Sequence, residues 1–369
     1  YPSPFLKNVK LLTRYLNKAI LACQLLFSQL QKLLAITHLY NHKKLEAHKV
    51  TIYYIIIIIQ TFQEVFLIFN KTGQVKEIFF VAGLAWSPVY VVAAEEPVLF
   101  EAGFHCAGRL YEEDIRDFLN GRNPKTLFLT HVHWDHCGST AYLKKCFPGL
   151  KVAASRISAE IIRRPNAQNL MKRLSQDVIP LVGQVHGVDK EKLIRDSFEP
   201  FEIDIIVDGG QTLNIGGGLT LQVIATPGHT RDMLSYYIPE KRVLFATESA
   251  GVLDQADQII PEFLVDYDLY IASLKELKKL DIDVLCQGHH FVFVGDDVKR
   301  FFDRSLEAAK KFRDDVQDLL ISEGGSIERV VHRIKARQYD TNRGVKQSEK
   351  SYLLNLTARV THLARKLQN

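Results

Sequence analysis

No Cys-x-x-Cys pair occurs in the 369 residues, and the five cysteines, Cys23, Cys106, Cys137, Cys146 and Cys286, are odd in number. A disulfide framework is therefore not expected, and reduced thiols in a cytoplasmic setting are. No apolar run is long enough for a bilayer. Ile52–Ile59 has eight residues, against the roughly 20 a spanning helix needs. Extending it to Phe69 takes in Gln60, Gln63 and Glu64, which makes a span costly. The run also starts far from the N-terminus and lacks a small-residue cleavage site, so it does not read as a secretory signal. A Gly-x-Ser-x-Gly elbow is missing too, which removes one common source of a serine nucleophile.

Residues 1–72 contain no glycine, no aspartate and no proline after Pro4. Phe5, Val9, Leu12, Leu16, Ile20, Leu26, Leu30, Leu33 and Leu34 recur at helical spacing and predict a long amphipathic helix. Three readings of this extension stand side by side: a membrane-surface anchor, a helical partner-binding extension, and a segment foreign to the native protein. The third rests on a first residue that is Tyr and on an Asn, Lys, Ile, Tyr, Phe and Leu content such as AT-rich non-coding DNA would translate into. Membrane contact is expected only through residues 1–76. That stretch holds ten Lys/Arg against Glu46 and Glu64, so the rest of the chain is mildly acidic although the whole carries +5. No basic strip with interleaved aromatics follows, and nucleic acid is not an expected partner.

From Gln74 the texture changes to short β-prone runs. Glu77–Ala82, Val89–Ala93 and Pro97–Gly103 read as strands, Tyr111–Leu119 as a helix stopped by Asn120-Gly121, and strands and helices then alternate. That order implies layered sheets with helices outside. Residues 297–322, 326–337 and 348–366 read as C-terminal helices. Residues 156–200 are helical and polar, with Arg156, Arg163, Arg164, Lys172 and Arg173. These read either as a solvated face or as a field that attracts an anionic substrate.

What is there in abundance is histidine at one place. Thr130–Ser139 reads Thr-His-Val-His-Trp-Asp-His-Cys-Gly-Ser, behind the apolar strand Thr126–Thr130. A helix cannot put His131, His133, Asp135 and His136 on one face, because adjacent residues diverge by about 100°. A loop at a strand end can split them into two sets. Imidazole and carboxylate are the usual ligands of zinc, iron and manganese. Cys137 within the cluster, and Cys286 before a later histidine pair, are expected to pack, with a place at the site as the alternative.

His-x-His-x-Asp-His at a strand end resembles the signature of the metallo-β-lactamase-fold hydrolases, and later motifs match that family in order. Thr226-Pro-Gly-His229-Thr follows an alternating strand. Leu234–Ile238 and Arg242–Thr247 read as a hairpin ending at Glu248. Asp283–Gln287 ends at Gly288-His289-His290. The resemblance covers about residues 77–295 and implies an α+β fold, a four-layer αββα sandwich, with C-terminal helices over 296–369 and an N-terminal helical extension over 1–76. It implies two divalent ions, zinc foremost and iron or manganese as alternatives. His131, His133 and His229 would hold one, Asp135, His136 and His289 the other, and Glu248 would stand where the family has a bridging aspartate. Asp135 would also orient the nucleophile or carry a proton; His290 is an alternative ligand or proton-transfer group. Glu101 stands where the family has an aspartate that orients a ligand histidine, so both acids are one carbon longer here.

The implied activity is hydrolysis of an ester, thioester, lactone or related carbonyl or phosphoryl substrate by metal-activated water. An iron oxidoreductase with one metal, such as a persulfide dioxygenase, and a non-catalytic metal-binding protein are the alternatives on the same scaffold. The partner expected is a small molecule, with anionic character suggested by residues 156–200. Lys335–Asp340 is a further stretch that could reach the pocket mouth. A homodimer is left open.

Overall fold

Short runs rich in Val, Ile, Leu, Phe and Tyr fold here into two seven-stranded sheets, as β-branched and aromatic side chains favour. The computed structural model describes residues 68–69, 72–254, 257–342 and 346–368. The amphipathic helix expected early in the chain, and the Ile52–Ile59 run, lie outside these residues. In chain order the strands are β1 (Ile68–Phe69), β2 (Gly73–Lys76), β3 (Phe79–Ala82), β4 (Val89–Val92), β5 (Val98–Phe100), β6 (Thr126–Phe128), β7 (Lys151–Ala154) and β8 (Ile205–Ile206). They continue as β9 (Thr212–Asn214), β10 (Thr220–Ala225), β11 (Leu234–Ile238), β12 (Val243–Phe245), β13 (Val252–Leu253), β14 (Ile259–Ile260), β15 (Val284–Cys286) and β16 (Phe291–Val294). The helices are α1 (Gly108–Leu119), α2 (Thr140–Cys146), α3 (Arg156–Ile162), α4 (Pro165–Val182), α5 (Tyr267–Leu277), α6 (Asp296–Ser322), α7 (Ile327–Gln338) and α8 (Glu349–Gln368).

The first sheet has the order β2-β3-β4-β5-β6-β7-β8 and the second β1-β16-β15-β12-β11-β10-β9. Pairing is antiparallel from β2 to β5 and parallel from β5 to β8. Their inner faces share one core that includes Phe79, Tyr90, Phe100, Phe128, Tyr236 and Phe245. A second core packs α1, α2 and α4 on the outer face of the first sheet. A third packs α5 to α8 on the outer face of the second. The result is a four-layer αββα sandwich with helices on both outer faces.

The sheet begins earlier than the resemblance to the family suggests. Gly73–Lys76 pairs with β3 across a turn at Glu77-Ile78, although the sequence reading assigns it to the extension. Ile68–Phe69 pairs with β16 at the edge of the second sheet. The hairpin of β11 and β12 forms where expected, and α6, α7 and α8 start and end within two residues of the expected C-terminal helices. Among the described residues no helix is long and apolar enough to cross a membrane.

Phe100 on β5 and Phe245 on β12 stack across the sandwich, with ring centroids 3.7 Å apart at 10°. Each ring comes shortly before an acid at its strand's end, Phe100 before Glu101 and Phe245 before Glu248. Removing a buried Phe from such a core costs about 3–5 kcal/mol. Phe245→Ala is expected to lose that much in urea unfolding, and an unchanged midpoint would contradict the stacking as a stabilising contact.

Candidate metal centre

The strand β6 ends at Phe128, and its chain runs on as a loop through Thr130 to Ser139. The His136 and Cys137 backbone N–H groups both donate to the His133 carbonyl at 3.0 Å, closing a tight turn. This turn is what sends His131 and His133 one way and Asp135 and His136 the other. The Pro227-Gly228-His229 turn follows β10, and Glu248 sits on the short 3-10 turn Thr247–Ala250 after β12. His289 follows β15. All seven residues thus come from four separate loops at one edge of the sandwich.

Three overlapping groups have ligand atoms within 4.8 Å of one another: His131, His133 and His229; His131, His136 and Glu248; and Asp135, His136 and His289. Glu248 stands between the two expected sets. Its Oε1 is 3.2 Å from both His136 Nε2 and His289 Nε2, and its Oε2 is 4.0 Å from His131 Nε2. His289 Nε2 lies 3.7 Å from Asp135. His290, the alternative in the same pair, belongs to none of the three groups; its φ of +63° marks the bend at which the chain turns into β16.

The donor set fits a metal. His131 Nε2 is buried without a hydrogen-bond partner, and both oxygens of Glu248 are buried among the Nε2 atoms of His131, His136 and His289, a convergence of donors that a cation would satisfy. Four of the histidines have Nδ1 held by the protein, which fixes ring orientation and turns Nε2 toward the cluster. With Nε2 turned inward, Nδ1 of each carries the proton and donates outward. His136 donates to Glu101 Oε2 at 3.0 Å, His229 to the Glu262 carbonyl at 2.5 Å, and His289 to the Trp86 carbonyl at 2.6 Å. His131 donates to Thr130 Oγ1 at 3.0 Å, which in turn meets Thr247 Oγ1 at 3.1 Å. His133 differs: its Nδ1 faces His229 Nε2 at 3.2 Å.

Glu101 accepts from the Thr130 backbone N–H with its second oxygen. Glu101 and Thr247 have φ of +64° and +43°, strained for residues with a side chain and characteristic of functional sites. Glu248 is accommodated by an absence. A Cβ at Gly288 would lie 1.9 Å from Glu248 Oε1, so only glycine leaves room for the carboxylate.

The electrostatics divide the histidines into two classes. Burial, together with neighbouring imidazoles, holds His131 well below the ordinary histidine value and His133 below it. Burial takes His229 down to about 3. Burial thus favours the neutral form of all three, the form that binds a cation. For His136 and His289 burial acts the same way but is outweighed. The Glu248 and Asp135 carboxylates raise both, that of His136 well above its ordinary value. Burial would raise Glu248, but His136 and His289 hold it well below the usual carboxylate range. Burial pushes Glu101 up against the pull of His136.

The pocket above these residues is lined by Trp86, Phe104 and Trp134 on one side and by Leu174 and Val178 of α4. Gln338, Tyr339, Lys346, Tyr352 and Arg359 close the side contributed by α7, α8 and the stretch between them. The Lys335–Asp340 stretch therefore does reach the pocket, through Gln338 and Tyr339. The basic residues of 156–200 do not line it. Arg163 pairs with Glu202 and Arg164 with Glu160 at exposed positions. Cys137 and Cys286 are fully buried in two of the cores, and burial raises both thiols well above their ordinary value. Neither lines the pocket. Sequence reasoning missed Glu262, Arg359 and the Trp86 carbonyl, because a backbone acceptor or a lone arginine leaves no local pattern.

Residues 87–289, more than half of the chain, match the Metallo-beta-lactamase superfamily. The chain belongs to that superfamily. A metallo-beta-lactamase fold-containing protein of Sulfurisphaera tokodaii is 27% identical over 54% of this chain and 71% of its own length. A hydroxyacylglutathione hydrolase of Rhodopseudomonas palustris is 28% identical over 45% of this chain and 48% of its own length. The chain spans about half or less of the length of several other curated relatives. Among solved structures, a metallo-beta-lactamase family protein of Thermus thermophilus covers 82% of this chain and 94% of its own at a TM-score of 0.53 and 17% identity. That likeness bears on the fold alone. Superfamily membership and the three His/Asp/Glu groups together support divalent metal binding.

The two classes of histidine predict different pH dependence. A cation entering beside His136 and His289 must displace protons, so its affinity should weaken as pH falls through neutrality. Affinity at the neutral His131, His133 and His229 set should stay flat over the same interval. Stepwise titration with a chelator competitor from about pH 8 to about pH 6 reads both, and parallel losses would contradict the division. Gly288→Ala should lower the metal content while circular dichroism stays native; an unchanged content would show that Glu248 needs no such space.

Proposed function

We propose that the protein is a metal-dependent hydrolase with a binuclear centre that cleaves a carbonyl-type bond of a small molecule, an acyl ester, thioester or lactone. The observation that carries this reading is Glu248, whose Oε1 stands 3.2 Å from Nε2 of both His136 and His289 while its Oε2 stands 4.0 Å from Nε2 of His131. A carboxylate so placed serves both sets, as a bridge requires. His131, His133 and His229 would hold one ion, and Asp135, His136 and His289 the other. Two divalent ions, zinc foremost, supply an activated water and polarise the substrate oxygen when bound.

The chain's own residues do the rest. Asp135 lines the pocket beside His289 and is half-buried, so it can orient the attacking water and pass a proton to the leaving group. Trp86, Phe104 and Trp134 exclude bulk water from one side of the pocket, which strengthens every charge interaction within it. Tyr339, Tyr352 and Lys346 give the far wall polar ends suited to a substrate that carries a polar or anionic group away from the scissile bond. The hydroxyacylglutathione hydrolases among the relatives support an acyl thioester as the first substrate class to assay.

Metal analysis of purified protein should give two zinc per chain, and chelation should abolish hydrolysis of a thioester panel, with zinc restoring it. His131→Ala and His229→Ala should each lower kcat/KM by roughly 10³-fold or more and lower metal content. Full hydrolysis by the metal-depleted protein would refute the proposal. One iron per chain with oxygen uptake on persulfide would replace it with the dioxygenase.

A further inference from the structure

The turn that carries His229 is wrapped by the segment that follows β14. The Gly228 carbonyl accepts from the Val265 and Asp266 backbone N–H groups at 3.1 and 3.2 Å, and His229 Nδ1 meets the Glu262 carbonyl. Residues Pro261–Asp268 thus form a strap around the ligand turn. The strap is clamped in turn by α8. Arg359 donates from Nη1 to the Pro261 carbonyl at 2.9 Å, His362 Nε2 accepts from the Tyr267 backbone N–H at 3.0 Å, and Lys366 pairs with Asp268.

Arg359 is the unusual member. It is 1% exposed, its Nε has no hydrogen-bond partner, and its guanidinium lies 4.9 Å from the Phe312 ring centroid. Burying a guanidinium carries a large desolvation cost even after relaxation, offset in part here by the buried Glu262 carboxylate, whose charge Arg359 favours. Its hydrogen bond instead goes to the carbonyl one residue before the one that orients His229. Only φ and ψ of Glu262 separate the two carbonyls, so Arg359 and His229 hold the strap at adjacent residues.

We propose that Arg359 is a positioning residue for His229: through Pro261 and Glu262 it sets the ring that completes the His131, His133 and His229 set. The C-terminal helix is then part of the metal centre as well as a wall of the pocket. This inference rests on the binuclear reading above.

The test compares Arg359→Met, which keeps an unbranched stem without the donor, with Arg359→Lys, which keeps a donor. Losing an outer partner of a ligand histidine typically costs about 10–100-fold in metal affinity. Arg359→Met should therefore bind the first-set ion at least about tenfold more weakly in chelator competition, with affinity at the second set retained. The absorption spectrum of its cobalt(II) form should shift, and Arg359→Lys should recover most of both losses. Unchanged affinity and spectrum, with only a lower thermal midpoint, would show that Arg359 merely packs α8. Should Arg359→Met not fold, His362→Ala carries the same test, since it releases the strap at Tyr267: weaker first-set binding supports the inference and unchanged binding overturns it. Wild-type protein that binds no ion at the first set would refute the binuclear reading instead.

Discussion

A carboxylate buried where two sheets meet is the constraint on which the rest of the site depends. Glu248 is 2% exposed, and an ionised acid at that depth must be compensated by charge or it would take up a proton. Compensation comes from His136 and His289, which are raised by the same carboxylate that they lower. The three side chains arrive from three different loops, so the charge balance exists only once both halves of the sandwich have closed on each other. The stacked pair Phe100 and Phe245 shows how closure and chemistry are joined. The same apolar contact that holds the sheets together sets the ends of the strands that carry Glu101 and Glu248.

Several local oddities lie beside the longer acids. Two residues beside the ligands, Glu101 and Thr247, sit at positive φ without being glycine, a conformation costing about 1–3 kcal/mol each. Each lies just after a strand, Glu101 after β5 and Thr247 after β12. Gly288 clears the volume that the Glu248 carboxylate occupies. The Glu248 carboxylate thus has its place because the chain opposite it carries no side chain.

The helices after the sandwich change the character of the centre. In the two sheets alone His229 would be oriented by a loop carbonyl with nothing behind it. With α6 and α8 in place, that loop is tied at Pro261, Tyr267 and Asp268, and the pocket gains a polar wall. The loop beside His229 and one wall of the pocket therefore share α8, so a change in α8 reaches both.

Much of this was legible in the residues. His131, His133, Asp135 and His136 lie within six positions, and a run so dense in ligand types behind an apolar strand announces itself. His229 and His289 each follow a glycine at a strand end, and the alternation of strands and helices implies layers outside two sheets. The C-terminal helices follow from amphipathic periodicity, which is a local property. What the chain order could not show is which side chains meet. Trp86 and His289 are 203 residues apart and Arg359 and Pro261 are 98, and in each pair a backbone carbonyl, which every residue possesses, is one partner. The basic residues of 156–200 read either as a solvated face or as an anion-attracting field, and the exposed pairs of Arg163 and Arg164 fit the first, while Arg359, one arginine in a helix, is buried at the pocket. Sequence by itself determined the donor types, their order and the layers that would carry them, because those depend on local spacing and hydrophobic pattern. Only the tertiary structure decided which nitrogen faces inward, where Glu248 finds its room and what holds His229, because those depend on contacts between distant segments.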